Sequence, residues 1–318
     1  MWISPYKYVL SLGHLCSDIN QSILSAVLPF LIATYHYDYT TAAMLVTVSN
    51  VFGAFVQPFI GMLSDKKNKL LYMTLGVLLA SGGMAVTGFI SNFFGLWIVV
   101  IMSGIVVAMF HPQAAKLFNS VSSKNAKGKG MSIFSFGGKV GFTLGPVYTA
   151  FLMNLFGMKG TILFLIPGIV FGIVCSFFNK DFENLDVLEV EKKEKVKSEQ
   201  KDDWSGFIKL CCVVFSRSIL SNGISTFLAF YFIQQFSKSN SFASMLLSVF
   251  YGIGSITLLG GGIADCFGHR KMVRLSFCIF LPAIFIFTNT SHFVIALIML
   301  IFMTCGESLS YSPMVVLG

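Results

Sequence analysis

The chain has 318 residues, of which 55% are hydrophobic and 11% charged. A soluble domain carries about 25% charged residues, so the composition excludes a disordered chain, a collagen-like fibre and an ordinary cytosolic enzyme. The net charge of +8 hides an asymmetry: residues 180–203 hold six Lys and nine acids, leaving 16 basic and five acidic residues elsewhere. Those cations stand in short clusters between oily segments, which is the pattern of membrane topology and not of a phosphate-binding stripe.

A helix that spans a bilayer needs about 20 apolar residues. Runs of that kind predict ten spans: 8–34, 41–63, 70–90, 94–117, 130–153, 160–178, 207–234, 242–264, 273–290 and 293–315. They are too long for barrel strands and lack alternation. The first run is too long for a cleavable signal peptide. The connections alternate in charge. Lys66, Lys67 and Lys69 follow span two, Lys124, Lys127 and Lys129 follow span four, and Arg270, Lys271 and Arg274 follow span eight. The opposite connections are nearly uncharged, with Lys159 and Lys238 as lone exceptions. The positive-inside bias places the amino terminus and the 180–205 loop in the cytoplasm of a cell with a plasma (inner) membrane.

Gly61-Met62-Leu63-Ser64-Asp65 closes span two, and Gly261-Gly262-Ile263-Ala264-Asp265 closes span eight, an offset of 200 residues. The same offset aligns span four with span ten. Such a parallel repeat predicts an all-α membrane fold of two pseudo-symmetric six-helix bundles, with a substrate site at the midplane between halves. Residues 1–179 form the first bundle, 180–205 a charged linker and 206–318 a second bundle with four spans, so two of twelve helices are expected beyond Gly318.

A charge at mid-bilayer costs about 2.5–3.5 kcal/mol on insertion scales, so ionisable residues within spans are functional candidates. His14 and Asp18 lie four apart in span one and share a helix face, with Gln21 close to it. A carboxylate beside an imidazole suits proton coupling; a structural hydrogen-bond network is the alternative. Span five carries Lys139 beside Gly137, Gly141 and Gly145, a smooth stripe for close helix approach, and Pro146, which permits a bend. Arg217 in span seven falls near Asp18 in the repeat. It is either an anion site for substrate or the counter-ion of Asp18. His111, next to Pro112, either titrates or caps freed carbonyls, and Glu307 in span ten is a second proton or cation candidate. Asp65 and Asp265, each followed by cations such as Lys66 and Arg270, suit cytoplasmic latches that gate the two halves.

The seven cysteines show no Cys/His ligand spacing and read as apolar packing residues. No phosphate loop, nucleophile–base set or metal spacing occurs. No cofactor or metal, no enzymatic activity and no nucleic-acid partner are expected. The expected partners are a small-molecule substrate, protons and lipid, with the chain a monomer.

The Gly61–Lys67 segment and its fainter copy Gly261–Arg270 resemble the loop signature of the major facilitator superfamily, although Asp65-Lys66-Lys67-Asn68-Lys69 departs from its usual Asp-Arg then Gly-Arg-Arg. Gly141-Phe-Thr-Leu-Gly145-Pro146 is similar to the span-five motif of its proton-coupled exporters. His14-Leu15-Cys16-Ser17-Asp18 leading to Leu28-Pro29, together with Phe110-His111-Pro112 and Gly306-Glu307-Ser308-Leu309, resembles the fosmidomycin-resistance group. That resemblance implies drug efflux by proton antiport, with a small phosphonate antibiotic as one substrate. An importer of a small anionic or sugar-like solute, and a non-transporting membrane sensor or scaffold, are the other readings.

Overall fold

The computed structural model describes residues 5–63, 69–120, 127–178, 204–256 and 267–309. The described residues are helical, with no strand among them. Predicted residues Asp65, Lys66 and Asp265, and the 180–205 linker up to residue 203, lie outside the described residues. The chain divides into two compact units, Met1–Val196 and Lys197–Gly318.

Unit 1 contains α1 (Pro5–Tyr35), α2 (Tyr39–Leu63), α3 (Lys69–Val86), α4 (Phe93–Ser120) and α5 (Lys127–Phe156). It ends in α6, residues 166–178. Apolar side chains on every face of these segments make them helices suited to a lipid solvent, with aromatic groups such as Phe55, Phe94, Phe151 and Phe177 left exposed. α1 is the central helix of the unit, packed on α5, α4 and α3. Leu10, Phe110, Phe118 and Phe171 meet around it with no exposed surface. Asn20 on α1 spans to α3 by donating to the Ser81 Oγ at 2.8 Å. The α1 terminus is tied down by the Tyr35 hydroxyl, which donates to the Gly88 carbonyl at 2.9 Å.

The sixth predicted span begins differently from expectation. Gly157–Leu165 is a 3-10 segment, entered through Gly157 at φ 58°. A left-handed glycine ends α5 at that point. Tyr148 on α5 then holds the Leu163 carbonyl at 2.5 Å. The apolar run is continuous in sequence, but only its second half is α-helix.

Unit 2 contains α7 (Trp204–Phe236), α8 (Asn240–Ile256), α9 (His269–Asn289) and α10 (Phe293–Leu309). α10 packs on α9, α8 and α7. At one end Phe232, Phe236 and Phe293 cluster edge to face, and the Tyr231 hydroxyl donates to the Phe287 carbonyl at 2.6 Å. Lys238 lies over the Phe293 ring at 4.1 Å from its centroid, so this charge is held by π-faces.

Ten spans are predicted. Among the described residues seven helical stretches are long and apolar enough to cross a bilayer. α5 and α6 fall in one 45-residue stretch, Phe134–Phe178. α8 and α10, each 17 residues, run to the edge of the described residues.

Candidate functional site

Asp18 stands near the middle of α1, about 20 Å along the helix from Pro5 at 1.5 Å per residue. Only 3% of it is exposed. A bare carboxylate there would be costly, and two imidazoles face it. His14, one turn earlier, places Nε2 3.3 Å from Oδ2. His111 on α4 places Nε2 3.5 Å from Oδ1. The two rings meet edge to face with centroids 5.3 Å apart.

The orientation of His14 is fixed from α5. Its Nδ1 lies 2.9 Å from the Phe134 carbonyl oxygen, and its ring stacks on the Phe134 ring at 4.2 Å. A carbonyl oxygen can only accept, so Nδ1 carries the hydrogen. Nε2 therefore faces Asp18 with its lone pair whenever the ring is neutral. Oδ1 of Asp18 has no hydrogen-bond partner and is fully enclosed.

Glycine lets α5 come this close. A Cβ built on Gly138 would stand 2.5 Å from the Asp18 Oδ2 and 2.6 Å from the His14 Nε2. One on Gly141 would stand 3.1 Å from the Asp18 Cβ, and one on Gly145 2.9 Å from the Ile19 carbonyl oxygen. Gly137 likewise abuts the Ser11 backbone, and Pro146 is buried beside the stripe. The α1–α5 seam thus sets the α5 backbone directly against the backbone and the polar side chains of α1. Gly138, absent from the predicted site residues, is the one that touches both polar groups of the cluster. The Gly-Gly-Lys run contained it, but nothing in the run says which glycine faces α1.

Other predicted residues fall elsewhere. Gln21 is exposed and lies outside the buried cluster. Lys139 is half-buried on α5, one residue beyond Gly138. Arg270 is exposed in the first turn of α9.

In unit 2, Arg217 on α7 and Glu307 on α10 form an ion pair through Nη2 and Oε1. The Arg217 Nε also reaches the Glu307 carbonyl at 3.4 Å, and the Ser308 hydroxyl donates to Oε2 at 3.2 Å. The side chains are 13% and 9% exposed, so the pair is largely screened from solvent. Arg217 was predicted to serve either Asp18 or a substrate. Its partner within unit 2 is Glu307, which the sequence reading did not weigh for that role.

The family model described as the Major Facilitator Superfamily matches residues 10–318. The chain belongs to this superfamily. The solved structures that share its fold include transporters, and the chain is a multi-pass membrane protein. The fosmidomycin resistance protein of Escherichia coli (strain K12) is 23% identical over 276 residues, covering 83% of this chain and 66% of that protein. The chain therefore spans just under two thirds of that relative's length. Among solved structures, a bacterial homologue of the human lysosomal transporter Spinster superposes with a TM-score of 0.78 at 16% identity, covering 98% of this chain and 73% of that one. The xylose transporter XylE from E. coli gives 0.76 at 14% identity, covering 98% and 81%. At such identities the likeness establishes the superfamily fold.

Proposed function

We infer that the protein is a proton-coupled secondary transporter that exports a small drug-like solute by alternating access, fosmidomycin being one candidate. The observation that carries this reading is Asp18, a carboxylate 3% exposed inside a membrane-spanning helix and faced by two imidazoles. A charge held there is expensive, so neutralising it has a large effect on the energy of unit 1. The relative named for fosmidomycin resistance supports efflux. Asp18 and His14 would take the proton, with Glu307 as a second acid. Lys139, Arg217, Gln21 and His111 are the candidate groups for an anionic substrate or its counter-charge, since guanidinium and ammonium groups match carboxylate and phosphonate oxygens. Asp65 with Lys66, and Asp265 with Arg270, would latch the cytoplasmic side. The charge bias of the loops supports an orientation with the amino terminus and the 180–205 loop in the cytoplasm, and the chain is read as an inner-membrane monomer.

The test is efflux driven by an imposed pH gradient in everted vesicles carrying the full-length gene product. Asp18→Asn should abolish gradient-driven efflux while leaving insertion intact. Unchanged efflux in that variant removes Asp18 from the mechanism. Solute movement in the same direction as the proton would replace export by import. A susceptibility panel including fosmidomycin, in a sensitive host, identifies the substrate.

A further inference from the structure

We propose that His14, Asp18 and His111 form a binding site for one divalent first-row transition-metal ion. Two residues on α1 and one on α4, 93 residues on from Asp18, are brought together by the fold alone. Their ligand atoms all lie within 4.8 Å of one another. The two closest separations, 3.3 and 3.5 Å, run from each imidazole Nε2 to a different oxygen of the same carboxylate. Metal–ligand bonds of about 2.0–2.2 Å put neighbouring donors roughly 3–3.5 Å apart around a tetrahedral or octahedral centre. Both imidazole–carboxylate separations already match that spacing, and the full set falls within 4.8 Å.

Three further observations point the same way. His14 is oriented as metal-bound histidines are: its distal Nδ1–H donates to a backbone carbonyl, that of Phe134, and its Nε2 lone pair faces the cluster. Asp18 supplies a buried oxygen, Oδ1, that no hydrogen bond satisfies. The His111 side chain is 29% exposed, against 14% for His14 and 5% for Asp18, so it is the most accessible member of the cluster. Two imidazoles and a carboxylate suit zinc, cobalt or nickel, whereas magnesium and calcium prefer all-oxygen sites. Three protein donors leave a coordination position open. With one carboxylate and two neutral rings, a bound dication keeps one positive charge, which water cannot offset and an anionic group of a solute can. The site does not depend on the transport reading, because it concerns binding in unit 1 alone.

The experiment is titration of the purified full chain in detergent with Co2+, read by its visible ligand-field absorption. The expected result is one Co2+ per chain, displaced by Zn2+ and not by Mg2+. Asp18→Asn and His111→Gln should each weaken binding by about tenfold or more, the range seen when support of a ligand is lost. A variant with Cys211→Ser and Cys212→Ser, two adjacent exposed thiols on α7, should bind unchanged. The wild-type chain should also gain thermal stability with Zn2+ in excess, a reading that needs no variant. Absence of Co2+ absorption at millimolar metal overturns the proposal. So does binding that survives both His111→Gln and Asp18→Asn, or that disappears with the two thiols. A protein that binds one Co2+ but fails to move solute on a pH gradient would defeat the transport reading and leave this site standing.

Discussion

The two units place charge between the same pair of helices with opposite sign. In unit 1 the first helix carries the acid, Asp18, and the fourth carries a basic ring, His111. In unit 2 the first helix carries the base, Arg217, and the fourth carries the acid, Glu307. The 200-residue offset puts Arg217 one position from the counterpart of Asp18 and Glu307 about one helical turn from that of His111. The chemistry differs as much as the sign. Arg217 sets a guanidinium, with its planar fork of N–H donors, against the Glu307 carboxylate. In unit 1 the acid is faced instead by two imidazole nitrogens, at 3.3 and 3.5 Å. One unit thus carries a guanidinium–carboxylate pair and the other an imidazole–carboxylate cluster. The surroundings differ too: α1 is buried over most of its length, whereas α7 is largely exposed among the described residues.

The comparison is broken most sharply at Arg217. Arg217→Ala leaves Glu307 as a buried unmatched charge, which costs about 3–5 kcal/mol. Replacing both, as Arg217→Met with Glu307→Leu, should restore most of that loss, and denaturant unfolding of the detergent-purified chain measures both. A double variant as unstable as the single one would show that the pair is not the source of the effect. Gly138→Ala tests the imidazole–carboxylate cluster without altering a charge. The added methyl group collides with Asp18 and His14, so a loss of about 1–3 kcal/mol is expected, together with weaker Co2+ binding. Gly223→Ala on α7, where a Cβ meets nothing within 4 Å, is the control and should be neutral or slightly stabilising.

The smallest effect belongs to Asp38, before α2. Its Oδ1 accepts from the Thr41 N–H at 2.6 Å and its Oδ2 from the Thr41 hydroxyl at 2.9 Å. The Thr41 N–H, followed by the hydroxyl, holds its carboxyl below the usual carboxylate range. A depressed folded value means that the cap contributes above the ordinary carboxylate pKa and is lost as pH falls through the depressed one. Amide exchange at Thr41, corrected for intrinsic rate, should quicken in that acid window and in Asp38→Ala at neutral pH. Protection at Thr41 that ignores both would remove the cap.

The helical character of the chain was legible because a bilayer imposes a length; ten apolar runs were read against it, and seven helical stretches among the described residues are long and apolar enough to cross. The break inside the sixth run was not, since Gly157 and Gly160 look like ordinary glycines in an oily stretch. In the site, the spacing of His14 and Asp18 is a local property of one helix, and the structure sets them 3.3 Å apart. His111 was singled out as a candidate for other roles, because its approach to Asp18 depends on how α4 crosses α1. Arg217 and Glu307 were each noticed for bearing charge in a span. Their partnership bridges 90 residues, and residue identity alone does not encode which helices touch.

The glycine seam constrains how unit 1 can move. Where α1 and α5 meet, α1 carbonyls and the His14 and Asp18 side chains fill the places that α5 side chains would occupy, so little room is left between the helices to absorb a slip. A step of one residue along the seam would drive Phe142 or Lys139 into the ridge that the glycines now clear. The two helices are therefore keyed, like a shaft in a slot. Spin labels placed one on each should report a single fixed distance through every state of the transport cycle, and any change of shape must be made by the helices around them.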